Sequence, residues 1–378
     1  MKALYWRSNR VSAAQLVVLS IAVVLGTLAV ETQPIEERGP LHALQLQAAR
    51  QCAQGYRAIH LERIRQQLPL EIEHDPAASG LIGPAVSPIV STPGHLPSKQ
   101  TSVNPNFAAA FVVLLSEAGV REGDLVAVGL TGSFPAANVA LLSAIEALGA
   151  EPLTISSVAA SAYGATVPSL TWLDMERVLF EQDLLAFRSR RATLGGVLDQ
   201  ARDHTDEGRQ ALREAIGRSG LPFMEPAGFA QAVSDRLALY DELAGERTVA
   251  AYVNVGGGTV SVGTTADKEV FRPGLNTRVP RGLRRPSVMR SFLERGVPVV
   301  HVTKIRTLAR RFGLPDQPLE TPGVGEGDVY TRGTVRAWVV LLALLLTLVA
   351  LWAATRFDAR LVFSRGDGTG PEAPEAMV

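Results

Sequence analysis

Two apolar runs, one near each end, constrain this chain of 378 residues more than any other feature of its sequence. Val11 to Val30 carries no charged side chain and has about the twenty residues a helix needs to cross the hydrocarbon core of a bilayer. Lys2, Arg7 and Arg10 precede it, whereas Glu31, Glu36 and Glu37 follow it with only Arg38 nearby, so the cationic flank is expected in the cytoplasm. The second run, Ala337 to Thr355, is rich in Leu and Val and has Trp338 and Trp352 near its edges, where amphipathic rings favour the interface. Arg356, Arg360 and Arg365 follow it with Asp358, against Arg332 and Arg336 on the other side. The expected layout is therefore a cytoplasmic N-terminus over 1–10, a span over 11–30, an exported body, a span over 337–355 and a cytoplasmic tail over 356–378. Thr27-Leu28-Ala29 also reads as a signal-peptide cleavage site, although the run exceeds the roughly 7–15 apolar residues usual there. Either way the middle of the chain is exported.

The body between the runs reads as an α/β fold. From 31 to 105 we expect a helical stalk followed by a proline-rich loop. Leu44, Ala48, Cys52, Leu61, Ile64 and Leu68 recur at helical spacing between Leu41 and Leu68, with a break or bend at Gly55. Pro76, Pro84, Pro88, Pro93, Pro97 and Pro105 then exclude a continuous helix or central strand. The domain itself is expected over 106–331. Asn106 caps a helix through Ala118, Leu125 to Leu130 is a strand buried on both faces, a helix ends at Gly149, and Leu153 to Ile155 is the next strand. That is a βαβ unit, so the two strands should be parallel. Val249–Val255 and Val297–Val302 supply further strands beyond a charged helical region, giving a mostly parallel sheet flanked by helices.

Composition excludes several chemistries. Lys plus Arg and Asp plus Glu balance at 37 each, so nothing global draws the chain to nucleic acid. Cys52 is the sole cysteine, which rules out an internal disulfide and a cysteine-based zinc site. The six histidines show no metal-binding spacing, and neither a metal nor a cofactor is expected.

Candidate ligand residues gather where strands should end. Thr131-Gly132-Ser133 joins a buried strand to a helix start, where free backbone N–H groups and the helix dipole favour an anion. Ser133 would alternatively serve as a helix cap, with Pro135 in the first turn. Ser156, Ser157 and Ser161 follow the next strand and offer hydroxyls to a polar substrate. They lack the Gly-x-Ser-x-Gly elbow, and no His or Lys stands beside them in sequence. Gly256, Gly257 and Gly258 follow a strand as a partial likeness of the phosphate loop of actin-like ATPases, with Asn254 where an acidic residue is expected. Lys99 lies in the proline-rich loop, and His301 and Lys304 follow the last strand. Thr171 with Asp174 fits a capping box, which leaves Glu176 as a lone acidic candidate.

These segments together resemble a known family. Pro105-Asn106-Phe107, Thr131-Gly132-Ser133-Phe134-Pro135, Ser156-Ser157 with Tyr163-Gly164-Ala165, and Thr171-Trp172-Leu173-Asp174-Met175-Glu176 look like the bacterial poly-γ-glutamate system protein family. The likeness continues through the Gly256 loop and Gly296-Val297-Pro298-Val299 to Leu308 and Gly313-Leu314-Pro315, and departs at Ala159-Ala160-Ser161, where Gly-Ala-Ser is expected. The resemblance implies an accessory protein in the bacterial plasma membrane, its body extracytoplasmic, acting beside the poly-γ-glutamate synthase components on synthesis, export or processing of the polymer. Its partners would be the lipid bilayer, those components and an anionic polymer or glutamate ligand. Two other readings stand beside it: a serine-dependent amide hydrolase trimming the polymer through Ser133 or Ser157, and a non-catalytic scaffold for the ligase.

Overall fold

The computed structural model describes residues 13–31, 34–335 and 337–356, which fall into two units. The smaller unit, over the described residues, is formed by 13–31, 34–37, 331–335 and 337–356. Its helices Ala13–Glu31 and Ala337–Arg356 pack side by side. Gly26 sits so close to Ala343 that an added Cβ would lie 3.2 Å from the alanine Cβ, a close approach that small residues allow between apolar helices. Strand β1, Pro34–Arg38, pairs with β8, Thr331–Val335, in a two-stranded sheet. The side chains described in these helices cover 16–31 and 337–353, and over the described residues no helix is long and apolar enough to cross a membrane.

The larger unit, Arg38–Tyr330, is built on a six-stranded sheet. Its strands are β2 (Leu125–Thr131), β3 (Glu151–Ser157), β4 (Arg191–Thr193), β5 (Val249–Val255), β6 (Gly274–Asn276) and β7 (Val299–Val302), in the order β4-β3-β2-β5-β7-β6. All pairs are parallel except β6 with β7. Burial of both faces explains why the middle strands β2 and β5 are mostly apolar. Val126, Val128 and Leu130 of β2 and Ala251, Val253 and Val255 of β5 enter one core. Leu125, Ala127 and Tyr252 enter the other. The first core is closed by helices that include His42–Arg65, Phe107–Glu117 and Pro135–Ala147, the second by helices that include Phe229–Ala244 and Val288–Glu294.

Several local expectations change. The helix His42–Arg65 is unbroken at Gly55, where an added Cβ would lie 2.8 Å from Val139 Cγ1, so the glycine allows two helices to touch rather than interrupting one. Asn106 stands at the N-cap position of its helix, but its side chain makes no cap hydrogen bond. Its Nδ2 donates to Gly323 O at 2.8 Å while its Oδ1 accepts from Gly325 N at 3.0 Å and Tyr330 Oη at 2.5 Å, fastening the 323–330 segment. In the proline-rich loop Ile82 and Ile89 are buried, whereas Val86 is exposed. The Thr171–Asp174 capping box forms, with Asp174 Oδ2 accepting from Thr171 N at 2.9 Å and Oγ1 at 2.7 Å.

A buried ion pair ties the sheet edge to the second helical layer. Arg236 donates to Asp199 Oδ2 at 2.7 Å, to Ser157 Oγ at 3.1 Å and to Thr193 Oγ1 at 3.0 Å, and Thr193 donates to Asp199 Oδ1 at 2.7 Å. Removing one partner strands the other charge away from water. Asp199→Ala is therefore expected to cost about 3–5 kcal/mol in denaturant unfolding. A loss within the scatter of ordinary surface substitutions would show that the pair is not the tie described here.

Candidate functional site

β2 and β5 lie side by side, and the chain leaves them toward opposite faces. After β2 it enters the helix Pro135–Ala147 in the first core, and after β5 it enters the short helix Thr259–Val262, whose Val260 and Val262 lie in the second. In open α/β sheets the crevice at such a divergence, beyond the strands' carboxyl ends, is where ligands gather. A cavity of about 380 Å³ occupies that place.

Seven of the ten residues singled out in the sequence line this cavity: Lys99, Thr131, Ser133, Ser157, Ser161, Gly257 and Gly258. Gly132 and Gly256 stand just behind its wall, and each does a steric job. A Cβ on Gly132 would fall 2.6 Å from Val158 O, and Gly256 has φ +103°, which a side chain disfavours. Ser156 points elsewhere. Its hydroxyl, fully buried, lies 2.7 Å from Ser189 Oγ and accepts from Trp172 Nε1 at 3.1 Å. Glu176 also lies off the cavity. Burial raises its carboxyl to about 7, against the Ser189 hydroxyl and N–H that its Oε1 accepts at 2.7 and 3.1 Å.

The proline-rich loop supplies one wall. It lies along the segment after β3, with Ser91 N donating to Ala160 O at 2.8 Å and Ala162 N to Thr92 O at 2.9 Å. Gly94 meets Ala162 backbone to backbone: an added Cβ would be 1.9 Å from its carbonyl oxygen. His95 then caps the helix Leu96–Ser102, its Nδ1 accepting from Ser98 N at 3.3 Å, with Pro97 in the first turn. This helix delivers Lys99 into the cleft.

Lys99 is almost wholly buried. Its Nζ donates to Ser133 O and, at 2.8 Å, to Ser161 Oγ, and lies 4.0 Å from the centroid of the Phe134 ring. Ser133 does not cap the helix Pro135–Ala147, whose N-cap is Phe134. Its hydroxyl accepts instead from Ser161 N at 3.0 Å. Burial, and then repulsion from Lys268, bring the Lys99 ammonium down to about 7 from 10.5. Among the described residues no carboxylate pairs with either lysine, whereas Lys304 is paired with Glu269 at 2.7 Å and Arg236 with Asp199. Thr259 Oγ1, buried without a partner, lines the same space. Behind it, burial and then Lys268 hold His301 down at about 3, so this imidazole stays neutral. Its Nδ1 lies 3.2 Å from Asn254 Nδ2.

Sequence reasoning missed Lys268, Thr259, Arg236 and Asp199. Lys268 follows the Thr264–Asp267 capping box, which marks a helix start but no ligand. Arg236 and Asp199 stand 37 residues apart, with no local pattern to join them. Among the described residues no cluster of His, Cys, Asp and Glu is placed to hold a metal. Comparison with known proteins adds no relative, since no family model, no curated protein and no solved structure matches the chain.

Lowering of the Lys99 ammonium by burial makes the stability of the fold depend on pH. Below about pH 7 folded and unfolded chains both carry the proton, and the cost of burying the ammonium is present in full. Between about 7 and 10.5 the folded chain has released a proton that the unfolded chain still holds, so stability rises with pH across that window. Unfolding of the wild type against Lys99→Met should show this gain only in the wild type. Parallel stability profiles for the two proteins would contradict it.

Proposed function

We propose that this chain is a membrane-anchored accessory protein of bacterial poly-γ-glutamate synthesis, export or processing, whose α/β body takes a carboxylate-bearing stretch of that polymer into the cleft between β2 and β5. The observation that carries this reading is the pair of cations, Lys99 and Lys268, that share the cleft and, among the described residues, form no salt bridge: Glu269, the cavity carboxylate that feels Lys268, is bonded to Lys304 at 2.7 Å. An anion entering between them relieves their mutual repulsion and restores the protonated form of Lys99. Backbone at Gly257 and Gly258 bounds the same space without side chains, which allows close approach of a ligand. The polymer itself, and the synthase components as partners, come from the family resemblance.

Anchoring rests on the two apolar runs. Over the described residues neither helix, Ala13–Glu31 or Ala337–Arg356, is long and apolar enough to cross a membrane, so the two spans are carried by the uncharged lengths of 11–30 and 337–355 in the sequence. The described Leu and Val side chains of both helices are largely exposed, among them Leu16, Val17, Leu25, Leu341, Leu345 and Leu348. Two hydroxyls within them are satisfied locally, Thr27 on Val23 O at 2.9 Å and Thr347 on Ala343 O at 2.8 Å. Together with the charge flanks this supports a plasma-membrane protein with an extracytoplasmic body.

The full chain in detergent micelles is expected to bind γ-linked glutamate oligomers, more tightly below pH 7 than above it and less tightly as salt is raised. Lys268→Ala should weaken that binding about tenfold, which corresponds to about 1.4 kcal/mol. Calorimetry finding no binding by wild type, or equal binding by the variant, would remove the polymer from the cleft.

A further inference from the structure

The sequence places Lys99 and Ser161 in different segments, 62 residues apart, yet the fold brings their functional atoms to 2.8 Å. Around that contact the geometry is fixed from several sides. Ser161 N donates to Ser133 Oγ at 3.0 Å, and Ser161 O accepts from Gly164 N at 3.0 Å. Tyr163, with φ +65°, turns the chain between them. Lys99 is held by Ser133 O and the face of Phe134. Its helix is locked behind it: Ser102 Oγ donates to Lys99 O at 2.7 Å, and Thr101 Oγ1 donates to Asp316 Oδ1 at 2.8 Å. Ser161 itself is only partly buried and opens onto the cavity. A hydroxyl exposed to a cleft, next to an amine sealed from water, is the arrangement a serine–lysine nucleophile requires.

We propose that Ser161 is a nucleophile and Lys99 its general base, and that the cleft performs acyl transfer on an amide, the γ-linked glutamate backbone on the reading given above. The choice of substrate rests on that reading, and the dyad does not. With the amine neutral, the contact runs from the Ser161 hydroxyl to the Nζ lone pair. Ser161 Oγ attacks the carbonyl carbon as Lys99 takes its proton, giving a tetrahedral oxyanion. The intermediate collapses as the C–N bond breaks, and Lys99 returns the proton to the departing amine. The acyl group is then an ester on Ser161. Water, deprotonated by Lys99, adds to that ester, and the serine leaves with its proton restored, so atoms and charge balance over the cycle.

Burial and Lys268 place the Lys99 transition near neutrality, so the neutral base is available at physiological pH. The other charged and titratable groups around the cavity are His95 beside Lys99 on its own segment, the Asp199–Arg236 pair, Asp203, and the Lys304–Glu269 pair. Of these groups only Lys268 acts on Lys99 strongly enough to set its titration. This singles out Lys268 as the lever for a test that a structural role for Lys99 would not move.

The full chain in micelles is treated with a fluorophosphonate probe, and the modified peptide is mapped by mass spectrometry across pH 5–10. The expected result is labelling at Ser161, with a rate that rises through about pH 7 and levels off. Lys99→Met and Lys99→Arg should each lose at least about a hundredfold in rate. Lys268→Ala should keep the labelling and move its midpoint to higher pH, because a like charge has been removed. Circular dichroism melts accompany each variant, so a variant that fails to fold is set aside and the pH midpoint in Lys268→Ala decides. No labelling of folded wild type, labelling elsewhere than Ser161, or a rate indifferent to pH and to Lys99 would overturn the dyad. In parallel, wild type should shorten γ-linked glutamate oligomers, whereas Ser161→Ala should bind them without cleavage. Labelling with the oligomer neither bound nor shortened overturns the polymer reading and leaves the dyad standing. Binding without labelling or cleavage does the reverse.

Discussion

The pairing of β2 with β5 is the constraint from which the rest of the larger unit follows. Two parallel strands buried on both faces cannot be joined by a hairpin, so the chain must cross over and return, and each crossover needs a helix to cover its face of the sheet. Because β2 sends its helix to one face and β5 to the other, the space just beyond their ends is covered by neither. It is an opening the topology imposes before any side chain is chosen. What fills its walls is then decided by the loops that reach it: the turn after β2, the small-residue segment after β3, the glycines after β5, and the proline-rich loop that arrives from before the sheet begins.

That last arrival is what gives the site its chemistry. A lysine on a surface loop would be solvated and fully charged at neutral pH. Lys99 is carried inward because its short helix is pinned at both ends, by the His95 cap and by Thr101 on Asp316, and because Gly94 lets the loop lie on the Ala162 backbone. Burial then discourages its charge while Ser133 O, Ser161 and the Phe134 ring hold it in one place. The same loop is otherwise an ordinary cover, with Ile82 and Ile89 contributing to the core.

How much of this was legible in the sequence depended on where the stabilising information resides. β2, β3, β5 and β7 could be found because a strand covered on both faces carries a run dominated by apolar residues, and the helices between them keep their period. β4 and β6 could not be found: each has three residues, and each is held by its neighbour in the ladder rather than by a pattern of its own. Gly55 and Asn106 misled for a related reason. A glycine in a helix and an asparagine before one have local meanings, but here Val139 and the 323–330 segment, both distant in sequence, determine what those residues do. For the cleft, the strand ends led to Thr131, Ser133, Ser157 and Ser161, which line the cavity, since parallel strands deliver their loops to the same edge of the sheet. Ser156 and Ser157 show the limit of that inference. Adjacent residues on a strand face opposite sides, so only one of the pair reaches the cavity.

Electrostatics orders the cleft. Arg236 and Lys304 are cations already answered, by Asp199 and Glu269, and they brace the walls. Lys99 and Lys268 form no salt bridge among the described residues, and their proximity is costly in a poorly hydrated space. A fold selected for stability alone would remove one of them or set a carboxylate between them. Keeping both makes sense where a carboxylate comes from outside, or where one lysine must spend part of its time neutral. These alternatives are linked by a single proton: binding an anion raises the affinity of Lys99 for it, and acting as a base requires giving it up. A substrate that brings its negative charge near Lys268 while presenting an amide to Ser161 would satisfy both, since the charge neutralises the more exposed lysine and leaves the buried one free to accept a proton.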